Sequence, residues 1–307
     1  MSVCRFQSED SHGDHLQMRA KLSKVMGIAS FTMGMLLVCV DSLAAENPTN
    51  VLTFGVISQR SPILTAAYWN PIIRYVSEKS GMSIRVRVGK TGVDTSEMIR
   101  RGEVDFIFSN HIFHPDNVAS GYYVIARDGG KPISGQLVVP VDSPIKTLSD
   151  LSGKTVVFPS RVAFVGYMVP IHRLYAERIL VKPKFAGNQE GAMGQLVAGS
   201  AEVAGVNSEV MREFALREKY GYRAVWTSKS YLNMPVAAKP GLPKQTVEAV
   251  RKALVGMKHD PEGRKILIGS AKTVGQDIAD GFEIAHDQQY RDQRMLYREV
   301  AAWEVTK

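Results

Sequence analysis

The residues between Pro159 and Pro170 are those whose types and spacing best suit binding chemistry. Val156-Val157-Phe158 is a short apolar run of the kind that forms a buried parallel strand. The segment Gly166-Tyr167-Met168-Val169-Pro170-Ile171-His172-Arg173 is compatible with a helix. A strand, a tight loop and a helix start, in that order, bring backbone N–H groups to the carboxyl edge of a sheet. Open α/β sheets bind ligands there, and a helix N-terminus favours anions. Arg161 in the loop offers a charged fork to an oxyanion; the plain alternative is a solvated surface arginine. Phe164 offers an apolar or stacking wall. Catalytic chemistry finds less footing. Ser160, His172 and scattered aspartates can be assembled into a triad on paper, yet no spacing selects them. No G-x-S-x-G, Walker A or paired glycine-rich fingerprint occurs. His111 and His114 lack a third metal ligand nearby and read as surface or supporting histidines. The chain is therefore read as a non-enzyme with no cofactor and no metal.

The elements that position this loop divide the chain into a leader and two lobes. Arg19, Lys21 and Lys24 precede an apolar stretch, residues 25–40, of signal-sequence length and too short for a membrane span. Ser42-Leu43-Ala44 places cleavage after Ala44, so residues 1–44 are a signal peptide, with Met18 an alternative start. Cys4 and Cys39 are the only cysteines and both fall in it, which leaves the mature chain with neither a disulfide framework nor thiolate chemistry. The net charge of +8 belongs wholly to the mature part, because Lys/Arg and Asp/Glu balance within residues 1–44. A positive surface concentrates anions. Nucleic acid is excluded as a partner, since no basic tail, basic–aromatic interleaving or known binding module occurs.

After the leader, Val51-Leu52-Thr53-Phe54-Gly55-Val56 reads as a strand and residues 68–80 as a helix, with Trp69, Ile72, Ile73 and Val76 at helical spacing and Gly81 closing it. Ile84 to Val88 alternates as a strand, and Phe106-Ile107-Phe108 is a buried strand followed by Ser109-Asn110-His111. Ser and Asn there are turn formers in the plain reading. Further on, residues 203–206 form a strand ending at Asn207, and residues 246–257 form a helix. Crossovers between lobes fall near residues 134–139 and 228–236. Lobe 1 is residues 45–137 and 232–307, lobe 2 residues 138–231, and the helical tail is expected on lobe 1.

Two motifs carry a family resemblance. Asp142-Ser143 with Leu148-Ser149-Asp150-Leu151-Ser152-Gly153-Lys154-Thr155-Val156 is similar to a signature of periplasmic binding proteins with the type II fold. Gly166-Tyr167-Met168-Val169-Pro170 resembles the helix start of the phosphate/phosphite/phosphonate branch of ABC-transporter receptors. Gly102-Glu103-Val104-Asp105-Phe106 and the stretch from Gln189 to Asn207 add to it. The resemblance implies an α/β, two-lobed type II periplasmic binding protein fold with a ligand cleft between the lobes. It implies a monomeric periplasmic receptor that binds a small anionic molecule and serves an ABC-transporter permease or a sensor protein. The candidate ligand-binding residues are Ser58, Tyr68, Asn110, Arg161, Phe164, Asn207 and Asn233. Phosphonate receptors carry three hydroxyl residues before the glycine; the matching positions here are Ala163, Phe164 and Val165, so the expectation is weak or absent phosphate and phosphonate binding. The alternatives are a receptor for a different organic ligand and an enzyme on the same fold.

Overall fold

The computed structural model describes residues 51–276 and 279–305. The leader, its cleavage point and both cysteines lie outside the described residues. The chain begins β1 (Leu52–Val56), α1 (Pro62–Ser80), β2 (Ile84–Val88), α2 (Gly92–Arg100), β3 (Phe106–Phe108), α3 (Pro115–Val118) and β4 (Tyr123–Asp128). It continues β5 (Gly135–Pro140), β6 (Thr155–Phe158), α4 (Val169–Ala176), β7 (Lys182–Phe185), α5 (Gln189–Val197), β8 (Ala204–Asn207), α6 (Ser208–Glu218) and β9 (Tyr222–Thr227). It closes with β10 (Pro235–Ala238), α7 (Lys244–Gly256), α8 (Pro261–Thr273), β11 (Phe282–Ile284) and α9 (Arg291–Val305).

Local sequence explains these boundaries. The Ser61 hydroxyl accepts from the Leu64 N–H at 3.3 Å while Pro62 opens α1, so an orphan donor is satisfied where proline costs no hydrogen bond. Helix α1 begins at Pro62, earlier than the apolar spacing predicts, because this cap extends it by more than a turn. Asn188 and Asn207 cap α5 and α6 in the same way.

The strands form two sheets. The first has order β11-β4-β10-β3-β1-β2, with β1 parallel to β2 and β3. The second has order β7-β6-β8-β5-β9, with β6 parallel to β7 and β8. The fold is thus the two-lobed α/β architecture that the motifs implied. The chain passes between the sheets through residues 129–134 and 228–234, which meet in one isolated antiparallel bridge, Ile133 with Tyr231. Phe54, Trp69, Ile72, Phe106 and Val236 centre the core of the first lobe, and Val138, Val157, Met193, Leu196 and Val206 that of the second. The tail helix α9 packs on α3 of the first lobe and on α4 of the second, a wider reach than expected. Its inner face explains this: the Tyr297 ring sits 5.1 Å from Phe164, and its hydroxyl donates to the Val162 carbonyl at 3.0 Å.

Candidate functional site

Parallel strands deliver their carboxyl ends to the space between the lobes. From the first lobe come Ile57, Ser58 and Gln59 after β1, and Asn110 and His111 after β3. From the second come Pro159 and Ser160 after β6, and Asn207 at the end of β8. These residues enclose a cavity of about 30 Å³, with Gln189 and the turn Ala163-Phe164-Val165 completing its wall. A chamber of about 830 Å³ adjoins it, and the two share Ile57, Gln59, Ile133, Asn207 and Met234.

The second-lobe wall is a helix start. Residues Phe164–Met168 form one wide turn, with Val169 donating to the Phe164 carbonyl, and run directly into α4. The N–H groups of Phe164, Val165 and Gly166 open this helix and have no carbonyl four residues back within it, so they remain available as donors. Gly166 has to be glycine: a Cβ there would lie 2.6 Å from Gln189 Nε2 and 2.8 Å from Pro159 Cγ. Gln189 in turn accepts the Asn207 N–H at 3.0 Å. The glycine of the sequence motif therefore lets a helix start, a cap residue and a strand end converge.

Several side chains at the small cavity hold unspent hydrogen-bonding capacity. The Asn110 carboxamide and the Ser160 hydroxyl carry no hydrogen bond among the described residues, and both residues are buried. His111 is fully buried with neither ring nitrogen partnered. Burial pushes its imidazole down to about 3, His114 acts in the same direction, and the Gly92 backbone opposes both from outside hydrogen-bond geometry. Ser58 is committed locally, donating to the Arg60 carbonyl at 2.8 Å.

In the chamber, burial holds the Tyr68 phenol well above its ordinary range, with Asp128 adding to the effect. Asp128 is raised to about 6, first by burial and then by Asp280, against the stabilising Gly130 N–H at 2.7 Å. The Asn233 amide donates to Asp128 at 3.1 Å. Across the cleft, the Arg60 guanidinium pairs with Glu213 on α6, Gln276 donates to the same carboxylate at 2.7 Å, and the Ser61 N–H donates to Glu190 at 3.0 Å.

The residues expected in the site divide accordingly. Ser58, Asn110 and Phe164 line the small cavity, Tyr68 and Asn233 the chamber, and Asn207 both. Phe164 presents only part of its ring to the cavity, because Tyr231 and Tyr297 hold it at 4.9 and 5.1 Å between centroids. Arg161 is exposed and lines neither space; its guanidinium sits 5.6 Å over the Phe185 ring. Sequence reasoning missed His111, Ser160 and Gln189. The signal available was position, since His111 and Ser160 each lie within three residues of a buried strand end. Among the described residues no cluster of three or more His, Cys, Asp or Glu is arranged for a metal.

The family model "ABC transporter, phosphonate, periplasmic substrate-binding protein" matches residues 54–290. The chain belongs to this family. Its members are periplasmic solute receptors of transport systems rather than enzymes. The fold places this family member beside solved relatives. A binding protein component of an ABC phosphonate transporter from Pseudomonas aeruginosa is 18% identical, with a TM-score of 0.70 over 82% of this chain and 87% of that one. A protein from Prochlorococcus marinus in complex with methylphosphonate is 16% identical, with a TM-score of 0.70 over 83% and 99%. A protein from Xanthomonas citri bound to ATP is 18% identical, with a TM-score of 0.63 over 82% and 97%. No curated protein matches the chain.

Proposed function

We propose that this receptor holds one small oxyanion between its lobes and delivers it to an ABC-transporter permease. The observation that carries the reading is the set of unspent donors around one small cavity between the lobes. Asn110 and His111 reach it from the first lobe and Ser160 from the second, beside Phe164 and Val165, whose amides open the helix and find no carbonyl within it. Buried donors without partners are costly, and an anion accepting several of them at once relieves that cost. The amides also lie at a helix start, where the dipole favours negative charge. The cavity of about 30 Å³ has room for little more than a water molecule, so the anion enters by hinge opening at residues 129–134 and 228–234.

The three hydroxyls of the family's grip are replaced by Ala163, Phe164 and Val165. Phosphate and phosphonate are therefore held more weakly and with less discrimination than a hydroxyl triplet allows. The chamber favours an organic anion over a bare one, because a substituent leaving the small cavity between Asn207 and Met234 enters a space bordered by Tyr68, Asp128 and Asn233. We further read the protein as a monomer exported to the periplasm, with residues 1–44 removed. Isothermal titration with phosphate, phosphite, methylphosphonate and bulkier organic phosphonates tests the assignment. Binding of at least one with one-to-one stoichiometry is expected. No heat with any of these anions, alongside binding of a neutral or cationic solute, would refute it.

A further inference from the structure

His111 occupies the site with its chemistry unused. A neutral imidazole carries one N–H and one lone pair, and buried polar atoms in native interiors are nearly always satisfied. Here both ring nitrogens are buried and unpartnered while the residue lines the small cavity. The ring is kept at that wall by its surroundings. The Ser109 hydroxyl accepts the His111 N–H at 3.1 Å, and the Asn117 amide donates to the His111 carbonyl at 2.9 Å, so the backbone is fixed from both sides. Gly92 closes over the ring; a Cβ there would lie 3.5 Å from His111 Cε1 and 2.5 Å from the Ser160 hydroxyl. The other polar side chains lining the cavity, all Ser, Asn or Gln, are uncharged.

We propose that His111 is a ligand contact: one ring N–H donates to an oxygen of the anion held between the lobes, and the second ring nitrogen takes up a proton as the anion binds. This rests on the oxyanion-receptor reading above. The proton comes from solvent and ends on the imidazole, and no bond of the anion is made or broken. The electrostatics agree. Without an anion, burial keeps the ring neutral. An opposite charge within roughly 4–6 Å favours the charged form. The titratable group acting on the ring is His114, on the same turn; Asp116, Glu304 and Arg161 act on His114 instead, and no carboxylate contributes at His111. The site thus has a latent cation that only a bound anion stabilises, and affinity should tighten as pH falls.

The experiment is isothermal titration of the wild-type protein and His111→Gln with inorganic phosphate and methylphosphonate. Each is run at pH 5.5 and 7.5, in two buffers of different ionisation enthalpy. Proton exchange by the anion itself is common to both proteins and cancels in the comparison. The wild type is expected to take up more protons than the variant at pH 5.5. Its affinity there should exceed the variant's by about tenfold or more, with a smaller margin at pH 7.5. Equal proton uptake and equal affinity in the two proteins would overturn the proposal. Should His111→Gln fail to fold, the ¹⁵N shifts of the wild-type His111 ring decide: a change toward imidazolium on saturation with phosphate supports the contact, and no change sinks it. Should neither anion bind, the same comparison is run with the tightest-binding anion of the titration panel; failure of every panel anion to bind the wild type refutes the receptor reading itself, a result distinct from binding that ignores His111.

Discussion

Removing Glu213 should loosen the closed receptor without unfolding its lobes. Glu213 lies on α6 of the second lobe and is almost fully buried. It pairs with the Arg60 guanidinium from the first-lobe loop after β1 and accepts from Gln276 at 2.7 Å. Truncating one partner of a buried pair costs about 3–5 kcal/mol when the remaining charge stays buried. Arg60 lines the chamber and regains water as the lobes part, so the cost to the closed form falls to about 2–3 kcal/mol. The pair bridges the cleft and belongs to no buried apolar cluster, neither those of the single lobes nor the one they share with the tail helix, so this cost weighs on closure and little on either lobe alone. Because 1.4 kcal/mol is tenfold in affinity, Glu213→Ala should weaken the tightest-binding anion of the titration panel by roughly 30- to 140-fold. The melting temperature of the free protein should move by only a few degrees. Arg60→Ala should behave alike, and the double variant should be far from additive. Titration calorimetry of the three variants measures this, with small-angle scattering as the readout of closure. A folded Glu213→Ala protein whose affinity stays within threefold of wild type would show that the pair does not hold the lobes together.

Other outcomes follow from the same geometry. Arg161→Ala should leave anion affinity within about threefold, as calorimetry would detect, since the side chain rests on Phe185 outside both cavities. Ala163→Ser with Val165→Ser should raise phosphonate affinity by restoring hydroxyls at the helix start, whereas adding Phe164→Thr should lower thermal stability by about 2–4 kcal/mol because that ring is core. Asp128 has a folded pKa of about 6, above the ordinary carboxyl value, so the native state binds more protons than the unfolded one in that range and stability falls as pH rises from about 4 to 6. Asp128→Asn should therefore stabilise by about 1 kcal/mol at pH 8, discounted for the watery chamber, and give no gain at pH 4 in thermal melts. Mass spectrometry of exported protein should find Ala45 at the N-terminus; retention of residues 1–44 would contradict the leader reading.

Much of the scaffold was legible because its determinants are local. Trp69, Ile72, Ile73 and Val76 mark one helix face, Gly81 takes the left-handed conformation that ends it at φ +70°, and Phe106–Phe108 is buried on both sides. Gly166 announced the fold because tight approach there permits few residue types, and the glycine–lysine turn before β6 because Gly153 takes the left-handed conformation at φ +73°. The site was legible less evenly. Phe164 reads as a free aromatic wall, yet Tyr231 and Tyr297, distant in sequence, claim most of its ring. Arg161 reads as an anion fork, and its direction is set by Phe185 on a neighbouring strand. His111 reads as a surface or supporting residue because its burial depends on the second lobe covering the end of β3. Local pattern carries strands, caps and turns; it does not carry which side chains an opposing lobe will enclose.

The central claim is that an oxyanion sits at the junction of β1, β3, β6 and β8, held by donors from both lobes. A crystal structure of the protein grown with methylphosphonate tests it most directly. One anion is expected between the lobes, within hydrogen-bond distance of Asn110, Ser160, His111 and at least one amide of Phe164, Val165 or Gly166, with the Arg60–Glu213 pair intact. An anion bound only outside the cleft, or a closed cleft whose donors are all satisfied by water at saturating methylphosphonate, would contradict it.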